Sequence, residues 1–364
     1  LRPVEVTPTV DRPKPYTLFF ISGLGGADHG ILPIKDTLQS LEFGSQAEAV
    51  VWNSILSSDP PTPKRWNKMA EQTEQILDSG RKIVFIAHSG GAAELAKIFD
   101  KIKKGRPELL NTDNLSNIEV ILIGPAGILG AKETITRTKE LQSSQLGLPG
   151  VEGGATATAG IESLFIFPPK RQDPEQVNLI LRENFPDVSN LSEDISSIPF
   201  ISDEQHWSLV PAELEAVVDS IDSELFRAES STEVEELLKQ RAKLLNDSGM
   251  KAYDAVNPKD LASWEPAKIA AISYLGLLPL LRKLLFRGVK KDFRKLEEKG
   301  LRIHWVVPEY DSFVILKDIQ ELYKRPMDEL VDKVKIVFLE RSSHAGWATL
   351  PKQLAEAVQY ILTS

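Results

Sequence analysis

Ser89, Asp311 and His344 are the residues of this chain whose types could together perform nucleophilic chemistry. A serine hydroxyl is a poor nucleophile until a neutral imidazole accepts its proton. A carboxylate beside that imidazole fixes its tautomer and stabilises the imidazolium that forms. Ser89 lies in Ala87-His88-Ser89-Gly90-Gly91, Asp311 in Pro308-Glu309-Tyr310-Asp311, and His344 in Ser342-Ser343-His344-Ala345-Gly346-Trp347. The first of these fits the Gly-x-Ser-x-Gly pattern with alanine in the first place. Small residues at both flanks have a mechanical reason, because a serine on an abrupt strand-to-helix turn needs the two backbones to pass close together. A second glycine-rich stretch, Ser22-Gly23-Leu24-Gly25-Gly26-Ala27-Asp28-His29, could bring backbone N–H groups close to a ligand. Either an oxyanion hole, with the Leu24 N–H joining that of Gly90, or a phosphate cradle would use it. A dinucleotide fingerprint is disfavoured, since Asp28 stands where Gly-x-Gly-x-x-Gly needs its third glycine.

These residues need elements to position them, and the hydrophobic pattern supplies such elements. Tyr16 to Ile21, Ala47 to Trp52, Ile83 to Ala87 and Ile118 to Ile123 are apolar or largely apolar runs of strand length. Between them, helices are expected over Ile31 to Leu41 and Lys64 to Ser79, and after Gly91 from the period of Ala92, Ala93, Leu95, Ala96, Ile98 and Phe99. Strand and helix alternating in this way predict an α/β, doubly wound, mostly parallel sheet. The alternation stops from about Ala126 to Gly300, where helices are expected over Pro211 to Arg227, Thr232 to Leu245 and Pro266 to Arg287. It resumes with strands at Leu301 to Val307 and Val334 to Leu339 and a closing helix over Leu350 to Leu362. In a parallel sheet, functional groups gather past the carboxyl ends of strands, and Ser89, Asp311 and His344 each follow one.

At these residues the sequence resembles the α/β-hydrolase family, over 16–125 and 301–364. The resemblance implies a hydrolase core in those two stretches and a mainly helical cap over 126–300, and the residues themselves mark 1–15 as a proline-rich segment. It implies Ser89 as nucleophile, Asp311 as acid and His344 as base. It also implies Leu24 and Gly90 as backbone oxyanion donors, with Ser22 where the family's loop commonly has histidine. Gly25, His29 and His88 are expected to line the substrate site. Glu309 is the rival for the acid; His29, His88, His206 and His304 are the rivals for the base, of which His304 falls inside an expected strand. His206 and Trp207 could contact substrate or merely pack.

The reaction expected is cleavage of a carboxylic ester with an apolar part through an acyl-enzyme, of lipase or esterase type. An acyltransferase or thioesterase with the same triad, or a non-catalytic member of the fold that binds a hydrophobic ligand, are the alternatives. No cofactor and no metal are expected: the five histidines show no paired ligand spacing and there is no cysteine. A net charge of −9 argues against a nucleic-acid partner. The most apolar run, Ile269 to Leu281, is shorter than a membrane span and contains Pro279. Arg282, Lys283, Arg287, Lys290 and Lys291 cluster beyond it, so that segment reads either as a helix packed on the core with a solvated basic end or as a lid meeting lipid. Residues 1–15 hold four prolines and no apolar leader, and a cytoplasmic location is the expectation.

Overall fold

The computed structural model describes residues 16–21, 38, 47–52, 63–125, 200–201, 212–225, 227–247, 290–310, 319, 334–343 and 351–363. Seven strands form one sheet: β1 Tyr16–Ile21, β2 Ala47–Trp52, β3 Lys82–His88, β4 Ile118–Ile123, β5 Phe200–Ile201, β6 Arg302–Tyr310 and β7 Ile336–Ser343. Their order is β2-β1-β3-β4-β6-β7-β5, and every pairing is parallel. Parallel neighbours cannot be joined by a tight turn, so each crossover must carry chain over a face of the sheet. The helices of the core are α1 Pro63–Asp78, α2 Gly91–Gly105, α3 Thr112–Ser116, α6 Lys290–Glu297 and α7 Pro351–Thr363. Two more, α4 Ala212–Leu225 and α5 Ser231–Asp247, come between β5 and α6 in chain order.

Side chains alternate across a strand, and the alternation sorts the core into two faces. Phe19, Ile21, Ile83, Phe85 and Ala87 pack with Trp66 and Met69 of α1, Phe99 of α2 and Phe293 of α6. Leu18, Phe20, Val84 and Ile86 pack on the other face with Leu354, Val358 and Ile361 of α7 and with Leu38. Strands buried on both faces need near-continuous apolar sequence, which is why these runs were legible. Phe85 is the aromatic centre of the first face, stacked on Phe19 at 5.2 Å and edge-on to Phe99 at 5.8 Å between ring centroids.

Most described elements fall where the hydrophobic pattern places them, with ends displaced by a few residues. Helix α1 stops before Gly80, whose φ of +70° suits the left-handed turn that ends a helix. The expected helices over Ile31 to Leu41 and Pro266 to Arg287 lie outside the described residues, Leu38 apart. Two findings were not anticipated within 126–300. Phe200–Ile201 pairs with Phe338–Leu339 at the edge of the main sheet, and Phe293 and Leu296 of α6 belong to the main core. Both stretches, though within 126–300, pack with the main sheet.

Candidate active site

Strand β3 is held on both sides, with Ala87 in register with Ile21 of β1 and Leu122 of β4, and His88 opposite Ile123. The chain then turns at once into α2. Ser89 takes φ +48° and is the one non-glycine residue with positive φ among the described residues. That backbone region costs an L-residue of order 1–3 kcal/mol and persists only where surrounding contacts force it. Here the contacts are identifiable. The Ser89 N–H donates to Ile123 O at 3.0 Å, and Ser89 O accepts from the Ala92 N–H at 3.3 Å, so both peptide groups of the serine are fixed. The residue is buried, with 8% of its surface exposed.

Gly90 is the N-cap of α2 and lies in the αR region, with no side-chain hydrogen bond capping the helix. A helix leaves its first N–H groups without intrahelical partners and carries partial positive charge at that end. The helix start beside Ser89 is thus a place where an anion forming on a reacting carbonyl would find donors. His88, next along the strand, is 5% exposed, and the alternation of β3 turns it toward the face of Val84 and Ile86, which α7 covers.

The residues expected as acid and base follow β6 and β7 in sequence. The pairing of these strands shifts register between Pro308 and Tyr310, and then Tyr310 pairs with Ser343, the last residues of the two strands. Glu309 sits at the irregularity. Asp311 and His344 are the next residues in sequence and lie outside the described residues, as do Leu24, Gly25, His29, His206 and Trp207. The structure thus brings Ser89, Gly90 and His88 together at one strand end.

His304 is placed elsewhere. It lies near the start of β6, in register with Ile121, at the amino end of the sheet. Its Nδ1 accepts from the Lys335 N–H at 3.3 Å, and its Nε2 lies 3.7 Å from Glu119 Oε2. Arg302 Nη2 completes the cluster at 2.6 Å from Glu119 Oε1. Burial alone pushes the Glu119 carboxyl up, but the imidazole of His304 and the charges of Arg302 and Lys335 outweigh it and hold it below the ordinary carboxylate range. This histidine is committed to structure, as its position inside a strand suggested.

Sequence reasoning missed Glu94. It is fully buried in the first turn of α2 and accepts from Arg65 Nη2 at 3.2 Å and Trp66 Nε1 at 3.3 Å. The available signal was a carboxylate inside the run Ala92 to Phe99, all of whose other members but Lys97 are apolar. Among the described residues no group of three or more His, Asp or Glu is arranged to hold a metal, and no helix is long and apolar enough to cross a membrane.

A parallel sheet in this strand order, with a strained serine turn after β3 and a helix starting on it, is a specific architecture. It fits the resemblance to the α/β-hydrolase family read from the sequence. No protein-family model matches it, and no curated protein matches it. Solved structures similar to it include a thermophilic esterase from Thermogutta terrifontis, 10% identical, covering 95% of this chain and 89% of that one with a TM-score of 0.43. A hydrolase from Oleispira antarctica is 11% identical over 96% of this chain and 92% of its own, at 0.41. The thioesterase domain from the curacin biosynthetic pathway is 15% identical over 95% and 92%, at 0.39.

Proposed function

We propose that this chain is a serine hydrolase of the α/β-hydrolase fold that cleaves a carboxylic ester with an apolar acyl or alcohol part. The observation that carries the reading is the left-handed backbone at Ser89, at the turn from β3 into α2. A serine is held in a costly conformation only where its placement is worth the cost.

In this reading His344 takes the proton of the Ser89 hydroxyl as Oγ attacks the ester carbonyl, and Asp311 holds the imidazole in the tautomer that can accept it. The carbonyl oxygen becomes an oxyanion, stabilised by the Gly90 and Leu24 N–H groups. One such donor contributes about 10²–10³ in rate. The imidazolium then protonates the departing alcohol, leaving an acyl-serine. Water, deprotonated by the same histidine, attacks that intermediate and restores the free hydroxyl. No cofactor enters these steps. The cap of 126–300 supplies the apolar surface that chooses the substrate.

A fluorophosphonate probe tests the assignment directly. Labelling on Ser89, absent from Ser89→Ala, is the expected result. Undiminished labelling of Ser89→Ala would place the nucleophile elsewhere. A series of p-nitrophenyl esters of increasing chain length then reads the size of the pocket, with longer chains preferred if the cap meets lipid.

A further inference from the structure

We propose that Glu94 is a positioning residue for Ser89, its buried carboxylate tying the first turn of α2 to Arg65 and Trp66 of α1 and so fixing the serine turn from the side. The inference rests on the serine-hydrolase reading and adds to it a residue outside the triad and the oxyanion donors.

The start of α2 has two demands that conflict. Its N–H groups must stay uncapped to face an oxyanion, and no side chain caps it. Yet an uncapped helix end frays, and the strained φ of Ser89 persists only if the helix start is immobile. Glu94 meets both demands, because it grips the first turn without occupying the helix end. Its own N–H donates to Gly90 O at 3.4 Å, so the residue that carries the carboxylate is hydrogen-bonded to the residue that follows the nucleophile. On the α1 side the partners are near that helix's own start, Pro63. The two helices are thus joined where both begin, at the carboxyl edge of the sheet that holds Ser89.

The chemistry of the clamp is costly, which argues that it does more than pack. Glu94 is completely buried and Arg65 is 4% exposed. Buried pairs of this kind are often matched or bettered in stability by apolar residues of similar volume. What an apolar pair lacks is direction. The guanidinium and the indole N–H fix both carboxylate oxygens, Oε2 and Oε1 respectively, and so set the rotation and height of α2 against α1. Lys97 stands over the Trp66 ring at 5.6 Å, one turn further along the same contact.

The test uses the full chain with three variants: Glu94→Gln, the charge-free double variant Arg65→Met/Glu94→Gln, and Trp66→Phe, which removes one N–H donor and keeps the ring. Probe labelling gives the fraction of competent sites, and all rates are taken per labelled site, so a loss of folded protein does not count as slow chemistry. Glu94→Gln and the double variant are expected to label Ser89 and turn over a short p-nitrophenyl ester about 10–100-fold more slowly, with KM changed by less than about twofold. Trp66→Phe should lose about two- to fivefold in the same parameter. Wild-type kcat and labelling rate per site, in whichever of these variants fold, overturn the proposal and leave Glu94 a packing residue. If the wild-type chain itself takes no label, the serine-hydrolase reading fails and this inference falls with it. That result is distinct from a labelled wild type with equally fast variants.

Discussion

Tyr310 at the end of β6 is the register partner of Ser343 at the end of β7. Both strands run the same way, so they end at neighbouring points on the same edge of the sheet, and Asp311 and His344 are the next residues in sequence. On the proposed reading the acid and the base directly follow these two paired ends, which lie 33 residues apart in sequence. His344→Ala is expected to lower kcat by about 10⁴ or more, leaving what the oxyanion donors and binding supply. Asp311→Asn should cost about 10⁴ and Glu309→Gln less than about tenfold. Ester hydrolysis by the purified variants checks this. The opposite ranking of Asp311→Asn and Glu309→Gln would assign the acid to the register irregularity.

The φ of +48° at Ser89 predicts a trade of stability against activity. Glycine takes that conformation freely, whereas alanine meets the same steric cost as serine. Ser89→Gly and Ser89→Ala should both be inactive, with the glycine variant the more stable by about 1 kcal/mol in denaturant melts. Equal midpoints would mean that the turn stores no strain.

The sheet was legible because a parallel strand covered on both faces must be apolar along its length, and Tyr16–Ile21 and Ile118–Ile123 carry that signature to the residue. Ser89 was legible as a candidate through the small residues around it. The same pattern pointed to a strained turn there; the hydrogen bonds from β4 and α2 that hold it came into view only with the fold. Glu94, Arg65 and Trp66 escaped for a similar reason: a charged residue in an apolar helical run reads as solvent-facing until its partner from another helix is in view. The register that aligns Tyr310 with Ser343 is likewise set by the whole sheet, and no local pattern encodes it.

Glu119 at the amino end of the sheet predicts how stability responds to acid. Its folded-state carboxyl lies below the ordinary 4.5 even though burial opposes this. A carboxylate depressed in the fold stabilises it at pH above 4.5, and that contribution is lost as pH falls toward the folded value. Lys335 has its own ammonium pushed down by burial first, against the opposing pull of Glu119, and donates from Nζ to Ile361 O at 2.6 Å near the end of α7. Loss of the Glu119 charge therefore reaches β4, β6 and the closing helix together. In thermal melts between pH 6 and pH 3, Glu119→Gln should be less stable than wild type at pH 6 and converge on it at the acid end. Parallel curves would show that this carboxylate has no linkage to folding.

The insertion carries its own test in the pair Asp222–Arg241. The two side chains join α4 to α5 through Nε to Oδ1 at 2.6 Å and Nη2 to Oδ2 at 3.2 Å, and both are buried, within a cluster of Leu225, Val234 and Leu238. Two short parallel hydrogen bonds between planar groups fix orientation as well as distance. Removing one partner leaves the other charge buried and unsatisfied, at a cost of about 3–5 kcal/mol, whereas replacing both by apolar groups is often neutral. Asp222→Asn should therefore expose α4 and α5 to limited proteolysis, read by mass spectrometry of the fragments. Asp222→Leu/Arg241→Met should restore resistance. The rate at which a small fluorophosphonate labels Ser89 should stay within about twofold of wild type, while the preference among long-chain esters shifts in Asp222→Asn if this hairpin helps to shape the pocket.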